Sequence, residues 1–384
     1  FNMRTAGIWQ DVYLLSVPCV HIKDVFIQPN LSADQLTVQV TIANNHDRPA
    51  RLSIHSVVKP LQPFSFPEDG IQVLPHYDLE DEVVLELTGG QIDVEAESET
   101  IYTLKAQVSG SLQLWECQNP HLYAAMITLS QTGKLIDQKY TRFGWREFKI
   151  NAGKLFLNGR EIQIKADSWH FMGIPQLTRR YAFAWYKAIQ NAGGNGVRLH
   201  AMPYPTFYLD VADEMGICVL DESAIWASHT AFNLNAPVTW ERFFEHIARL
   251  VLRDRNHPSV MGWSVENEVR MALEGPFQTD ETIAKVGEKI EQLLQIVREM
   301  DPTRDWVSAD GDGDWDGRFP TVILHYENKA DYKQIKDKAQ KPVGVGECTM
   351  AYFGTPKQAA EFVGDLAYQS AADRMKGVAI ESYG

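Results

Sequence analysis

A chain of 384 residues is too long for one ordinary hydrophobic core, so length alone predicts at least two domains. Its composition, 45% hydrophobic and 22% charged, is that of a folded globular protein, and no apolar run reaches the roughly 18–20 residues that cross a bilayer. The formal net charge of −14 argues against the clustered Lys and Arg that a nucleic-acid backbone demands, so neither nucleic acid nor membrane is expected as a partner.

The start, FNMRTAGIWQDVYLLS, has no initiator Met and no basic stretch followed by an apolar one. The chain is expected to begin inside a longer protein, which leaves the compartment open. Residues 20–150 read as all-β. Leu36–Ile42 alternates apolar and polar residues, Thr100–Val108 and Tyr123–Leu129 follow, and Ile54–Val58 and Glu82–Leu87 are shorter candidates. Turn signals at Asn44-Asn45 and Gly89-Gly90 separate them, the spacing of a β-sandwich.

Near Gly144 the pattern changes to short β-branched runs alternating with helical periods, the signature of βα units. Strands are predicted at Gln163–Ala166, Asn195–Leu199, Cys218–Asp221, Val260–Val265, Trp306–Ala309, Thr321–His325, Pro342–Glu347 and Gly377–Ile380. Ile283, Val286, Ile290, Leu293, Val297 and Met300 mark one apolar helix face, stopped by Pro302. Eight such strands predict a (β/α)8 TIM barrel whose last helix is missing. A doubly wound sheet fits less well, because Gly193-Gly194 precedes a strand instead of following one. The four cysteines, Cys19, Cys117, Cys218 and Cys348, form no CxxC pair, and Cys218 and Cys348, in or beside apolar strand-like runs, read as buried free thiols.

In a barrel, chemistry sits at the carboxyl ends of the strands. Those ends carry Arg198 and His200, Asp221-Glu222, Glu266-Asn267-Glu268, His325-Tyr326-Glu327 and Glu347. Trp169, Trp226, Trp263 and Tyr326 are candidate stacking platforms for a hydroxyl-rich ligand, so a carbohydrate is the expected partner. Glu268 and Glu347 fall on the fourth and seventh strands, which face each other across a barrel mouth, and glycoside hydrolysis needs such a carboxyl pair. Asn267 is placed to bind the hydroxyl beside the reacting carbon, and His325 or Tyr326 to hydrogen-bond Glu347. Glu266 and Glu327 read as ion-pair or helix-cap residues, His257 as structural, and Trp115 and Trp145 as core. Asp310, Asp312, Asp314 and Asp316 alternate with Gly311, Gly313 and Trp315, and from Asp312 the run mimics the front of a calcium loop. Position twelve counted from Asp312 is Ile323, not Glu, so an acidic loop is expected, with no metal and no cofactor.

At these residues the chain resembles glycoside hydrolase family 2, which contains β-galactosidases, β-mannosidases and β-glucuronidases. RDRNHPSVMGWSVENE at Arg253–Glu268 is similar to that family's acid/base signature; NGVRLH at Asn195–His200, KPVGVGE at Lys341–Glu347, VLDES at Val219–Ser223 and DPTR at Asp301–Arg304 also match. The resemblance implies that Glu268 is proton donor, Glu347 nucleophile and Asn267 a substrate-binding neighbour, and it covers Arg198 and His200; with these, the strand-end residues His325 and Tyr326 and the platforms Trp169 and Trp226 complete the expected substrate-binding set. It further implies the tail of a jelly-roll sugar-binding domain over 1–17, an immunoglobulin-like sandwich over 18–142 and a TIM barrel over 143–384. The implied activity is a retaining exo-β-glycosidase, β-galactosidase-like before β-mannosidase or β-glucuronidase, with a non-catalytic carbohydrate-binding relic as the rival; oligomeric state is left open. GVAIESYG at Gly377–Gly384 departs from the family, having Glu381 and Tyr383 where a Trp is usual.

Overall fold

The computed structural model describes residues 12–62, 78–168, 170–171, 173, 176–226, 233–273, 280–326 and 329–347. Its first half is built from β1 (Val20–Asn30), β2 (Gln35–Asn44), β3 (Ala50–Pro60), β4 (Leu85–Leu87), β5 (Gln91–Val94), β6 (Ser98–Gln107), the short hairpin β7 (Trp115–Glu116) and β8 (Asn119–Pro120), β9 (Tyr123–Gln131) and β10 (Lys134–Phe143). One sheet runs β1-β2-β6 and the other β10-β9-β3-β4, with β5 also on β3; all pairings are antiparallel. Alternation explains the core. Leu36, Val38, Val40 and Ile42 of β2 are fully buried and meet Leu52, Ile54 and Val58 of β3 and Ala125, Ile127 and Leu129 of β9.

The anticipated strands correspond to β2, β3, β4, β6 and β9, the one at Glu82–Leu87 shortened to Leu85–Leu87. β1, β5 and β10 were not anticipated. Bulges between Ile22 and Asp24 and between Leu135 and Asp137 shift the register of β1 and β10 and break the two-residue period by which a strand is recognised.

A small antiparallel sheet of β11 (Phe148–Asn151), β12 (Lys154–Leu157) and β13 (Arg160–Glu161) leads into the α/β half. There follow β14 (Ala166–Ser168), α1 (Arg179–Asn191), β15 (Gly196–Arg198), α2 (Thr206–Met215), β16 (Cys218–Glu222), α3 (Pro237–Asp254), β17 (Val260–Asn267), α4 (Val269–Leu273), α5 (Asp280–Met300), β18 (Trp306–Asp310), β19 (Asp312–Gly313), β20 (Val322–His325), α6 (Lys329–Lys338) and β21 (Val343–Glu347). Strands β14 to β18 form a parallel sheet in chain order. β20 and β21 pair in parallel in a second sheet, with β19 antiparallel to β20. The two sheets meet where the Thr321 hydroxyl donates to the Val307 carbonyl (3.1 Å).

The first anticipated parallel strand lies later than expected, at Ala166–Ser168, and the eighth, Gly377–Ile380, lies outside the described residues. Among the described residues the seven parallel strands therefore form two ladders, not a closed ring. β16, β17 and β18 are buried along their whole length, as strands covered on both faces must be. Helix α5 turns Val286, Ile290, Leu293 and Val297 inward, the face its periodicity predicted, and α3 adds Trp240, Phe243, Ile247 and Leu250.

The sandwich docks on the segments that precede β16 and β17. Arg142 of β10 pairs with Asp210, Asp213 and Glu214 of α2, the Trp115 indole donates to the Asp213 carbonyl (2.9 Å), and Asn256 bonds the Val25 carbonyl (2.8 Å). His257 belongs to this seam through Asp213 (2.6 Å), and Trp115 and Trp145 are buried, the structural parts expected of them. Cys117 and Cys218 are free thiols 3.5 Å apart, and Cys348 lies outside the described residues. Docking at the amino ends of the strands leaves their carboxyl ends open.

Candidate active site

The carboxyl ends of β15, β16, β17, β18, β20 and β21 converge on one polar cluster. Register does much of the placing: Asn267 is the ladder partner of Asp310, and His325 that of Glu347. Backbone strain does more. Ala201, Glu268 and Tyr326 each follow a strand end at positive φ (53°, 56° and 57°), a conformation costly for a residue with a Cβ. Each is pinned by a backbone N–H: Ala201 to Glu222 Oε1 (2.6 Å), Glu268 to the Asp310 carbonyl (2.8 Å) and Tyr326 to the Glu347 carbonyl (2.9 Å).

Arg198 is the hub. Its Nη1 donates to Glu222 Oε2 (2.9 Å) and Asn267 Oδ1 (3.0 Å) and lies 3.0 Å from Asp310 Oδ1; its Nη2 donates to Glu347 Oε1 (2.6 Å). Glu222 is fully buried and also accepts from Ser264 Oγ (2.7 Å) and faces His200 Nδ1 (3.2 Å). Burial opposes its charge, but Arg198 and His200 outweigh that and hold its carboxyl down at about 2. Glu347 is likewise opposed by burial. The Tyr326 hydroxyl, which donates to its Oε2, together with Arg198, His325 and His200, keeps it below the ordinary carboxylate value.

Glu268 faces Glu347. A carboxylate oxygen of each and a ring nitrogen of His325 all lie within 4.8 Å of one another. His325 Nδ1 is 2.8 Å from Glu268 Oε1 and its Nε2 is 2.9 Å from Asp310 Oδ1. Glu347 Oε1 is farther from Nδ1, at 3.9 Å, so of the two strand-end residues expected to hydrogen-bond Glu347, His325 or Tyr326, it is Tyr326 that does so. Burial disfavours the charged imidazole, yet its hydrogen bonds to Asp310 and Glu268 lift it to about 9. With both nitrogens committed to carboxylates, the ring is satisfied as a double donor and has no lone pair to offer a metal. A second group of ligand-type atoms, in Asp210, Asp213 and His257, is occupied by the Arg142 ion pairs of the seam.

His170 packs edge-on to His200 (centroids 4.5 Å apart, 65°), and burial together with His200 lowers it below the ordinary histidine value. Trp226 and Tyr326 are 46% and 38% exposed, as aromatic platforms for a ligand must be. Trp226 also forms a bridge with Asn267. Trp169 and Glu327 lie outside the described residues. Trp263 is no platform: it is buried, with its indole on Asp301 Oδ2 (2.9 Å), because it points to the helix side of β17. Glu266 is a cap, accepting from Val269 N (2.9 Å) at the start of α4.

The calcium-like run is held internally. Asp312 accepts from Arg270 N (2.5 Å), Asp314 pairs with Lys341 (2.7 Å) and Asp316 with Arg270 (2.9 Å). Asp310, read from sequence only as a member of that acidic run, belongs to the site, and its place at the end of β18 was the available signal. His170 and Ser264 are members not named from sequence, and Glu222 was named only as one of the strand-end pair Asp221-Glu222.

A sandwich followed by a barrel-type α/β unit, with an acidic cluster at the carboxyl ends of its strands, defines the class of protein. Residues 148–351, more than half of the chain, match the family model "Glycosyl hydrolases family 2, TIM barrel domain", and residues 72–146 match "Glycosyl hydrolases family 2". The chain belongs to glycoside hydrolase family 2.

It is 30% identical over 240 residues to the β-galactosidase BoGH2A of Bacteroides ovatus, covering 55% of this chain and 28% of that protein. It is 26% identical over 316 residues to a β-galactosidase of Pectobacterium atrosepticum, covering 78% and 27%. The chain thus spans little more than a quarter of the length of these relatives. Among solved structures it resembles a family 2 member from Bacteroides cellulosilyticus (TM-score 0.68, 21% identity, 92% of this chain and 43% of that one). It also resembles a β-galacturonidase from Eisenbergiella tayi bound to galacturonate (TM-score 0.68, 18%, 89% and 59%). These likenesses support the arrangement of a β-sandwich followed by a TIM barrel.

Proposed function

We propose that this chain carries the catalytic centre of a retaining exo-β-glycosidase, β-galactosidase-like in its sugar, and that its seven parallel strands belong to an eight-stranded barrel. The observation that carries the reading is that one oxygen of the Glu268 carboxylate and one of the Glu347 carboxylate face each other within 4.8 Å. A retaining pair stands about 5–5.5 Å apart, and an inverting pair needs roughly 6.5–9.5 Å to admit a water.

Glu347, ionised by its Tyr326 and Arg198 partners, attacks the anomeric carbon while Glu268 delivers a proton to the leaving oxygen. Glu268 then takes a proton from the water that releases the sugar, and the β configuration is kept. Asn267 gives its Oδ1 to Arg198, which turns its NH₂ to serve the hydroxyl beside the reacting carbon. His200 and His170 supply further hydroxyl partners, and Trp226 and Tyr326 stack on the sugar face. Arg198 already answers three carboxylates, Glu222, Asp310 and Glu347, which favours a neutral hexose over a uronate. The curated relatives named as β-galactosidases point the same way.

The test is a panel of aryl β-galactoside, β-mannoside, β-glucuronide and β-galacturonide substrates with the parent chain, Glu268→Gln and Glu347→Gln. Turnover strongest on the galactoside and lost in both variants is expected. Activity that survives Glu347→Gln overturns the nucleophile assignment, and sugar bound without turnover turns the reading into a carbohydrate-binding relic.

A further inference from the structure

Glu268 is the more loosely framed member of the pair. It follows β17 on a strained backbone and is 21% exposed, so something must aim its side chain. The structure supplies that support from the two neighbouring strands. Asp310 ends β18 and His325 ends β20, and the imidazole lies between the two carboxylates, 2.9 Å from Asp310 Oδ1 and 2.8 Å from Glu268 Oε1. Its side chain is completely buried.

The backbone makes room for this ring on two sides. A Cβ on Gly311 would meet His325 Nδ1 at 2.6 Å and Glu268 Cγ at 3.0 Å. A Cβ on Gly346 would meet Asp310 Oδ1 at 2.0 Å and His325 Nε2 at 2.6 Å. Any side chain at either position would drive the three apart, so both backbones approach as only glycine allows. The other charged or titratable groups facing the ring are Arg198, Glu347 and Tyr326.

We propose that Asp310 and His325 are positioning residues that act through Glu268, holding its Oε1 so that Oε2 carries the proton of the glycosidic step. The inference rests on the retaining-glycosidase reading of the site. As Glu347 forms its bond to the anomeric carbon, the bond from that carbon to the leaving oxygen breaks, the Oε2–H bond of Glu268 breaks and the leaving oxygen gains that proton. Glu268 becomes an anion in the same event. The Nδ1–H bond to Oε1 strengthens as that charge develops, so it stabilises the transition state more than the resting acid. Asp310 contributes by orienting the ring and balancing its charge, and burial of the pair keeps water from replacing it. In the second half, Oε2 takes the proton back from water.

The readout is leaving-group dependence of kcat/KM, measured on the parent chain, Asp310→Asn, His325→Gln and the double variant. Phenyl and 2,4-dinitrophenyl β-glycosides are used, of whichever sugar the parent turns over. A dinitrophenolate leaves with little help from an acid; a phenolate does not. Each single variant is expected to lose about 30-fold or more on the phenyl glycoside relative to its loss on the dinitrophenyl one, part of the 10²–10⁴-fold worth of a general acid, because Glu268 itself remains. The double variant is expected to lose no more than the worse single one, because the two act as a unit. Equal losses on both substrates in variants whose parent is active would overturn the positioning role and leave the glycosidase reading standing. A parent inactive on every β-glycoside of the panel would overturn the glycosidase reading, and this inference with it.

Discussion

The sandwich and the parallel sheet use buried polarity in opposite ways. In the sandwich the inward faces of β2, β3 and β9 are apolar, the buried polar side chains among the described residues are Asn44 and Ser56, and ion pairs such as Lys23–Glu99 stand in solvent, at 53% and 50% exposure. The parallel strands of the α/β half bury Arg198, Glu222, Ser264, Asn267, Asp310 and His325 toward one end. Such groups contribute little to stability by themselves, since desolvation consumes most of the Coulomb attraction. Their concentration at the open end of the sheet, away from the docked sandwich, is what a reaction centre requires and a scaffold does not.

The largest effect is expected at the glutamates: Glu347→Gln and Glu268→Gln should each lower kcat by 10³-fold or more on an unactivated glycoside, in proteins that melt near the parent temperature. Arg198→Met should cost about 3–5 kcal/mol in thermal unfolding and abolish turnover, because it strands three carboxylates, two of them fully buried. In the sandwich, Ile127→Ala should cost a similar 2–5 kcal/mol through its cavity, yet leave kcat unchanged wherever the fold persists. A kcat that falls with Ile127 would show that the two halves are not separable in this way.

Next come the pH effects. Glu222 is depressed from 4.5 to about 2, so its stabilisation is complete above about 4.5 and is lost as pH falls toward 2. His325 is raised from 6.5 to about 9, so its contribution is complete below about 6.5 and is lost as pH rises through 9. Each is on the order of 3 kcal/mol. Melting curves should therefore show the deficit of Glu222→Gln shrinking toward pH 2 and that of His325→Gln shrinking above pH 9. The smallest effect belongs to the sandwich surface: Lys23→Ala should change stability by less than about 1 kcal/mol and vanish in salt.

How far the sequence could be read follows the same division. LTVQVTI in β2 announced itself by alternation, and the face of α5 by its spacing of three and four. β1 and β10 did not, because a single bulge in each reverses which residues point inward. At the site, the strand-end rule located Glu268, Glu347, Arg198, His200, Asn267 and Tyr326 in one cluster, but parity was illegible. Asp221 and Glu222 are adjacent carboxylates on one strand. Only Glu222 reaches Arg198, while burial and the neighbouring Asp254 push Asp221 well above its ordinary value on the helix side. Trp263 and Ser264 divide in the same way. Asp310 was hidden by its company, since three further aspartates in the next six residues made it look like a loop.

In the proposed mechanism Glu347 forms a covalent bond to the sugar while Glu268 manages the proton. The most direct measurement is mass spectrometry of the chain after incubation with a 2-deoxy-2-fluoro β-glycoside of its preferred sugar. The expected result is one added glycosyl unit on the peptide containing Glu347, absent in Glu347→Gln and released on washing out the inhibitor. A chain that turns over β-glycosides yet carries the adduct on Glu268, or releases an inverted sugar and carries none, would contradict it.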